Sequence, residues 1–352
     1  MRITTRRRLW VGAATTTGVA MLVAGALLPV PFVELAPGPT FNTIGDVEGK
    51  PLIDISGTPT YPTAGNLDMT TVNERGGPGN GVYLGRVLVG WADPHIRIVP
   101  REAIYPEDQT IDELQAENVR SFSDSESDST AAALSYLKRP VLTLVVVASV
   151  VDGTPADGKL EPGDEILKIN DTVVTKTADV TTAMRTVTPG QTVVVKVRRE
   201  GKDVLDESIV TTTNPHDPAR AFMGISVGED YKAPFHLEFT LGGVGGPSAG
   251  TMLSLGIIDK LTPGELNGGK FVAGTGTITP DGIVGAIGGI EQKMTGARRA
   301  GATLFLAPAD NCADVLRGGV PDGLTVARIS TLAEAVSAVE AYVAGKPVTP
   351  CS

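Results

Sequence analysis

Histidine and cysteine are scarce, three of the first and two of the second, and neither recurs at the spacing that marks a zinc site. No metal or cofactor is therefore expected. Basic residues are in deficit, 30 against 40 acidic for a net charge of −10, which excludes the clustered cationic face that nucleic acid requires. The phosphate-cradling pattern G-x-x-x-x-G-K-[ST] does not occur. Its nearest approach, GELNGGKF at 264–271, lacks both the spacing and the hydroxyl residue, so no nucleotide-hydrolysing module is expected. Aromatics make up only 5% of the chain, whereas glycines number 42 and prolines 25; that balance predicts many tight turns joining short strands. The 352 residues, 41% hydrophobic and without low-complexity tracts, suffice for two or three domains with separate cores.

One apolar run stands out. MRITTRRR at the N-terminus carries four arginines, and Leu9 to Val33 contains no charge. About 20 helical residues cross a bilayer, and arginines favour the cytoplasmic side. The pattern predicts a cytoplasmic stub and transmembrane anchor over 1–33, in a single-pass protein of the cell membrane with everything after about Leu28 outside the cytoplasm. Cleavage at Ala24-Gly25-Ala26 is the alternative. Residues 34–140 read as an extracytoplasmic, membrane-proximal part of the scaffold. PLIDISG and GVYLGRVLVGW are expected to be strands, and the acidic, serine-rich stretch Glu107–Asp128 a solvated helix and loop.

From Pro140 the texture changes. VLTLVVVASVV is a β-branched run, Pro162-Gly163-Asp164 makes a turn before the alternating strand EILKIN, and the helical TADVTTAMRTV precedes the strand TVVVKVRRE and a hairpin at Gly201. The pattern L-x-P-G-D-x-I-L-x-I-N resembles a PDZ domain, covering 141–213, and the resemblance implies binding of an extended peptide at a sheet edge. Residues 214–352 alternate strands and helices, an α/β pattern. The expected fold class is thus multidomain α+β and α/β: transmembrane helix, PDZ-like β-rich domain, C-terminal α/β domain.

In GGVGGPSAG, Ser248 occupies G-x-S-x-G between a glycine run and a helix. An α/β-hydrolase triad needs a histidine after the serine, but His95, His216 and His236 all precede it. His95 and His216 read as surface residues and His236 as a core or edge residue. A lysine with a depressed pKa can replace histidine as base. Lys260 ends a helix, Lys270 lies in a turn and Lys346 in the tail. Lys293 instead falls on the apolar stripe Ile290, Met294, Ala297, Gly301 of a predicted helix. Burial there lowers a lysine's pKa; a snorkelling lysine remains the alternative on spacing alone. Pro247 suits a first helical turn, and the amides of Gly245 and Gly246 are candidates for stabilising an oxyanion.

These residues carry a second resemblance. GPSAG, followed by TGTITPDGIVGAIGGIEQKMTGARRAG at 275–301, is similar to the proteolytic domain of Lon proteases over about 220–345. The resemblance implies Ser248 as nucleophile, Lys293 as general base, Thr275 as the residue that holds the lysine, and assembly into a homo-oligomeric ring. Gly245 stands where ATP-dependent members usually carry an aspartate. The domain order resembles PDZ-containing, Lon-like proteases of bacterial envelopes. The expected function is an ATP-independent serine endopeptidase acting on unfolded or extended polypeptides, with a PDZ-like domain that recognises substrate. A non-catalytic envelope scaffold and a Ser–Lys amidase or esterase for small substrates are the alternatives. Outside the cytoplasm thiols oxidise, so Cys312 and Cys351 are expected to pair and tie down the tail.

Overall fold

The structure is a computed structural model that describes residues 5–77, 81–105, 110–199 and 203–352, with the side chains of 5–9, 11 and 12 left aside. The hairpin expected at Gly201, Arg2, and the start of the acidic stretch at 107–109 lie outside the described residues.

The chain opens with helix α1, Thr5–Ala26. Among the described residues, no helix is long and apolar enough to cross a membrane. The expected transmembrane anchor over 1–33, and the single-pass membrane placement built on it, are therefore corrected. The physical reason lies in how the charge-free run is divided. Helix α1 stops at Ala26, and Thr15-Thr16-Thr17-Gly18 and Gly25 interrupt its apolar surface. Pro29–Val30 then pairs with Val82–Tyr83, and strand β1, Phe32–Asn42, takes the rest of the run into a sheet where Val33 is fully buried.

Strand β2, Asn66–Arg75, runs antiparallel to β1. GVYLGRVLVGW, expected as a strand, is extended only at Val82–Tyr83 and then forms helix α2, Leu84–Ala92. Its apolar residues Leu84, Val87, Leu88 and Trp91 recur at helical spacing, which overrides the β-branched composition. Strand β3, Arg97–Pro100, pairs with β1. Helix α3, Ile111–Tyr136, follows; it is longer than the acidic stretch suggested and buries Phe122, Ser125 and Ser129 on one face.

The second stretch comprises strands β4 (Leu142–Val150) and β5 (Glu165–Ile169), helix α4 (Thr177–Met184), and strands β6 (Thr192–Arg199), β7 (Asp203–Val210) and β8 (Ile225–Lys232). They form a sheet of order β7-β6-β5-β4-β8. Val193, Val195 and Val197 of β6 are fully buried, as the period of two along a strand requires. Strand β8 lies beyond the 141–213 segment read from sequence and closes one edge by pairing with β4.

The remaining elements are helix α5 (Gly250–Leu261), strand β9 (Phe271–Gly274), helix α6 (Ile290–Ala300), strand β10 (Leu304–Pro308), helix α7 (Cys312–Gly318), strand β11 (Thr325–Ile329) and helix α8 (Leu332–Val343). Their sheet has order β11-β10-β9-β2-β1-β3, with β9 parallel to both β2 and β10. The chain divides into two compact units: 1–54 with 59–129 and 238–352, and 55–58 with 130–237. In the first, α6 packs Ile290, Met294 and Ala297 onto a core that includes Phe305 and Val315. Helix α6 ends at Gly301, whose φ of 112° suits a glycine at a helix terminus. Cys312 and Cys351 form a disulfide across a separation of 39 residues.

Candidate active site

Ser248 is half-buried in the loop that leads into helix α5. The turn before it uses Gly246 in a left-handed conformation, φ 84°, which glycine adopts without steric cost. The carbonyl of Ser248 accepts two hydrogen bonds, from the Gly276 amide at 3.0 Å and the Thr275 hydroxyl at 3.0 Å. Helix α5 is thereby fixed to the end of strand β9, because Thr275 directly follows that strand. The Thr251 amide repeats the link by donating to the Gly276 carbonyl at 3.1 Å.

Lys293 lies in the first turn of α6 on the buried side, 3% exposed. Its Nζ donates to the Thr275 hydroxyl at 3.0 Å. Thr275, 1% exposed, thus accepts from the amine while donating to the backbone of Ser248. Burial pushes the Lys293 amine down to about 7 from an ordinary 10.5, since a low-dielectric surrounding penalises the ammonium form. A neutral amine that donates one N–H to Thr275 keeps its lone pair for a second partner. Ser248 and Lys293 line one cavity of about 830 Å³, whose apolar wall includes Leu35, Phe41, Met69 and Val72.

The other candidates lie elsewhere. No histidine lines this cavity; His95, His216 and His236 are exposed. Lys270 donates to the Tyr342 carbonyl at 3.0 Å and stands over the Tyr342 ring. Lys260 closes helix α5, and Lys346 is exposed. Gly245 and Gly246 both line the cavity, but the Gly246 amide donates to the Asn118 carbonyl on helix α3 at 3.0 Å. Ser125, seven residues further along α3, donates to the Pro247 carbonyl at 3.2 Å. Asn118 and Ser125 therefore hold the serine loop from more than a hundred residues upstream, and the acidic, serine-rich stretch gave no local signal of it.

A family model described as the Lon protease (S16) C-terminal proteolytic domain matches residues 164–340, half of the chain. The chain belongs to this Lon proteolytic family. A PDZ domain model matches 120–207. Curated relatives include Lon protease 2 of Herpetosiphon aurantiacus, 37% identical over 115 residues, which amount to 32% of this chain and 14% of that protein. Lon protease 1 of Sorangium cellulosum is 33% identical over 38% of this chain and 17% of its own. Lon protease 1 of Bacillus subtilis is 36% identical over 32% and 15%. The chain thus spans at most 17% of the length of these three relatives. Among solved structures, the PDZ domain of an SdrC-like protein from Listeria monocytogenes aligns at 24% identity over 24% of this chain and 85% of that one, with a TM-score of 0.22. The Lon match encloses Ser248, Thr275 and Lys293.

The PDZ unit has a cavity of its own. A space of about 290 Å³ is bounded by Val180 and Met184 of helix α4, by Phe222-Met223-Gly224, and by Ile225 of edge strand β8. Gly224 has φ 89°, and a side chain there would collide with Thr154. The sequence reading missed this edge because it stopped at 213.

Proposed function

We propose that the chain is a serine endopeptidase that hydrolyses extended or unfolded polypeptides through Ser248 and Lys293, without coupling to a nucleotide. The observation that carries this reading is the buried amine of Lys293, hydrogen-bonded to Thr275 in the same cavity as Ser248. Above a pH of about 7 the amine is neutral and accepts the Ser248 proton as Oγ attacks the peptide carbonyl. The resulting ammonium returns that proton to the leaving amine. Water, deprotonated by the same lysine, then hydrolyses the acyl-enzyme. The positive end of helix α5 stabilises the oxyanion, and the Gly246 amide contributes only after parting from Asn118.

A cavity of about 830 Å³ accommodates several residues of an extended chain and favours a polypeptide over a small ester. Edge strand β8 and helix α4 offer strand addition to an extended segment, a recognition site suited to substrates that lack secondary structure. On this reading the substrates are segments that are already extended or locally unfolded. Digestion of casein by the protein, beside Ser248→Ala and Lys293→Ala, tests the reading. Both variants are expected to fold and to lose hydrolysis to a similar extent, because the pair acts as a unit. Hydrolysis retained in either would overturn it.

A further inference from the structure

Asn311 is 3% exposed and lies far from Ser248 in sequence, yet its amide closes two hydrogen bonds on Ile287, the residue next to Gly288 and Gly289 of the cavity wall. The Ile287 amide donates to Asn311 Oδ1 at 2.9 Å, and Asn311 Nδ2 donates to the Ile287 carbonyl at 2.9 Å. The side chain thus pairs with the main chain of Ile287 as a neighbouring strand would. We propose that Asn311 is a positioning residue for Lys293, acting through the turn Ile287-Gly288-Gly289; the proposal rests on the Ser–Lys reading above.

Gly288 and Gly289 line the catalytic cavity and have no side chains with which to anchor themselves. Gly289 adopts the left-handed conformation, φ 69° and ψ 33°, at the start of α6. It packs so closely on β2 that a Cβ would come 2.6 Å from Val72 Cγ2. Its carbonyl accepts the first helical bond from the amide of Lys293 itself, at 3.0 Å. The position of Lys293 Nζ therefore follows the position of Gly289. Val72 limits that glycine from the side of β2. Asn311 supplies the other constraint, with both a donor and an acceptor, so that Ile287 can neither slide nor rotate. Asn311 is itself held by the short turn Ala309–Asn311 after strand β10 and by the disulfide at the adjacent Cys312. Among the described residues its amide bonds only Ile287, and these two bonds account for its burial.

The test compares wild type, Asn311→Ala, Thr275→Val and the double variant on a short peptide, with kcat expressed per folded site from serine titration. A displacement of about 1 Å at a catalytic group costs up to roughly a hundredfold in rate, so Asn311→Ala is expected to lower kcat at least about tenfold. KM should stay within about threefold, because ground-state binding is untouched. In the Thr275→Val background, where the Lys293 tether is already gone, Asn311→Ala should cost much less. An unchanged kcat per folded site, or an equal loss in both backgrounds, overturns the proposal and leaves Asn311 a structural residue. If Asn311→Ala does not fold, Asn311→Asp, which keeps the acceptor and the volume but loses the donor, carries the same comparison with the same two outcomes. Failure of the Ser–Lys reading is told apart because it appears as hydrolysis in Lys293→Ala, where Asn311 is intact.

Discussion

Replacing Lys293 with methionine should abolish hydrolysis and make the protein more stable. The amine is 3% exposed and titrates at about 7 in the fold against 10.5 as an ordinary lysine. The folded-state pKa is depressed, so between these values the unfolded chain binds more protons and stability rises with pH across the window. Below about pH 7 the penalty is complete. At ~1.36 kcal/mol per pKa unit it amounts to about 5 kcal/mol at pH 6 and about 2 at pH 9. Methionine fills similar volume without charge, but it leaves the Thr275 hydroxyl without its donor, a loss of about 1 kcal/mol. The net gain for Lys293→Met is therefore about 4 kcal/mol at pH 6 and about 1 kcal/mol at pH 9. Urea unfolding at the two pH values, followed by tryptophan fluorescence and fitted separately for any early transition, measures it. A gain of equal size at both pH values would refute the reasoning, as would a variant less stable than wild type at pH 6. The first would mean that the Lys293 ionisation is not shifted by folding, and the second that the lysine is charged and paired in the fold.

Peptide hydrolysis by the wild type should rise through a single ionisation near pH 7 and level off above it, as the Lys293 amine becomes neutral; a pH–rate profile for kcat checks this. Serine at both Cys312 and Cys351 removes a crosslink spanning 39 residues and is expected to lower stability by about 2–4 kcal/mol, and thiol titration of the denatured, unreduced wild type should find no free thiol. Alanine at Gly245 would bring a Cβ 3.0 Å from that of Asn118; it should disturb the link between α3 and the serine loop and lower kcat several-fold, with little change in melting temperature. Tryptophan at Met184 fills the cavity beside β8 and should slow cleavage of casein more than that of a short peptide, as competition assays with the two substrates would show.

The proposed Ser–Lys site was legible in part because Lys293 is marked by a local contradiction. A lysine on the apolar stripe of α6 is costly unless neutral, and that cost could be read from Ile290, Met294 and Ala297 alone. Thr275 came from the Lon resemblance, and its hydroxyl bridges Lys293 and the Ser248 carbonyl. What escaped was set by distant partners. Nothing near Asn118 or Ser125 announces that helix α3 meets the serine loop, and Asn311 gives no sign that its amide is committed to Ile287. Composition misled in two places. Leu84 to Trp91 read as part of a short apolar strand yet follow helical spacing, and the uncharged run to Val33 ends its helix at Ala26 because Val33 and Leu35 are required in the sheet.

The strand order β11-β10-β9-β2-β1-β3 has a consequence for how the molecule is made. Strand β2 takes β9 as its parallel neighbour through Phe271↔Asn66 to Gly274↔Met69, so a ribosome releases one half of that ladder roughly 200 residues before the other. At about 5–20 residues per second the wait is on the order of 10–40 s. Throughout it, the nascent chain presents a strand edge bearing Leu67 and Met69, both later fully enclosed, and such an edge invites pairing with another chain. The β4–β8 sheet is complete by Lys232, before β9 is made, so its strands find their partners while β2 still lacks one. An N-terminal fragment cut short of Phe271 should therefore be an aggregating species rather than a stable half-protein.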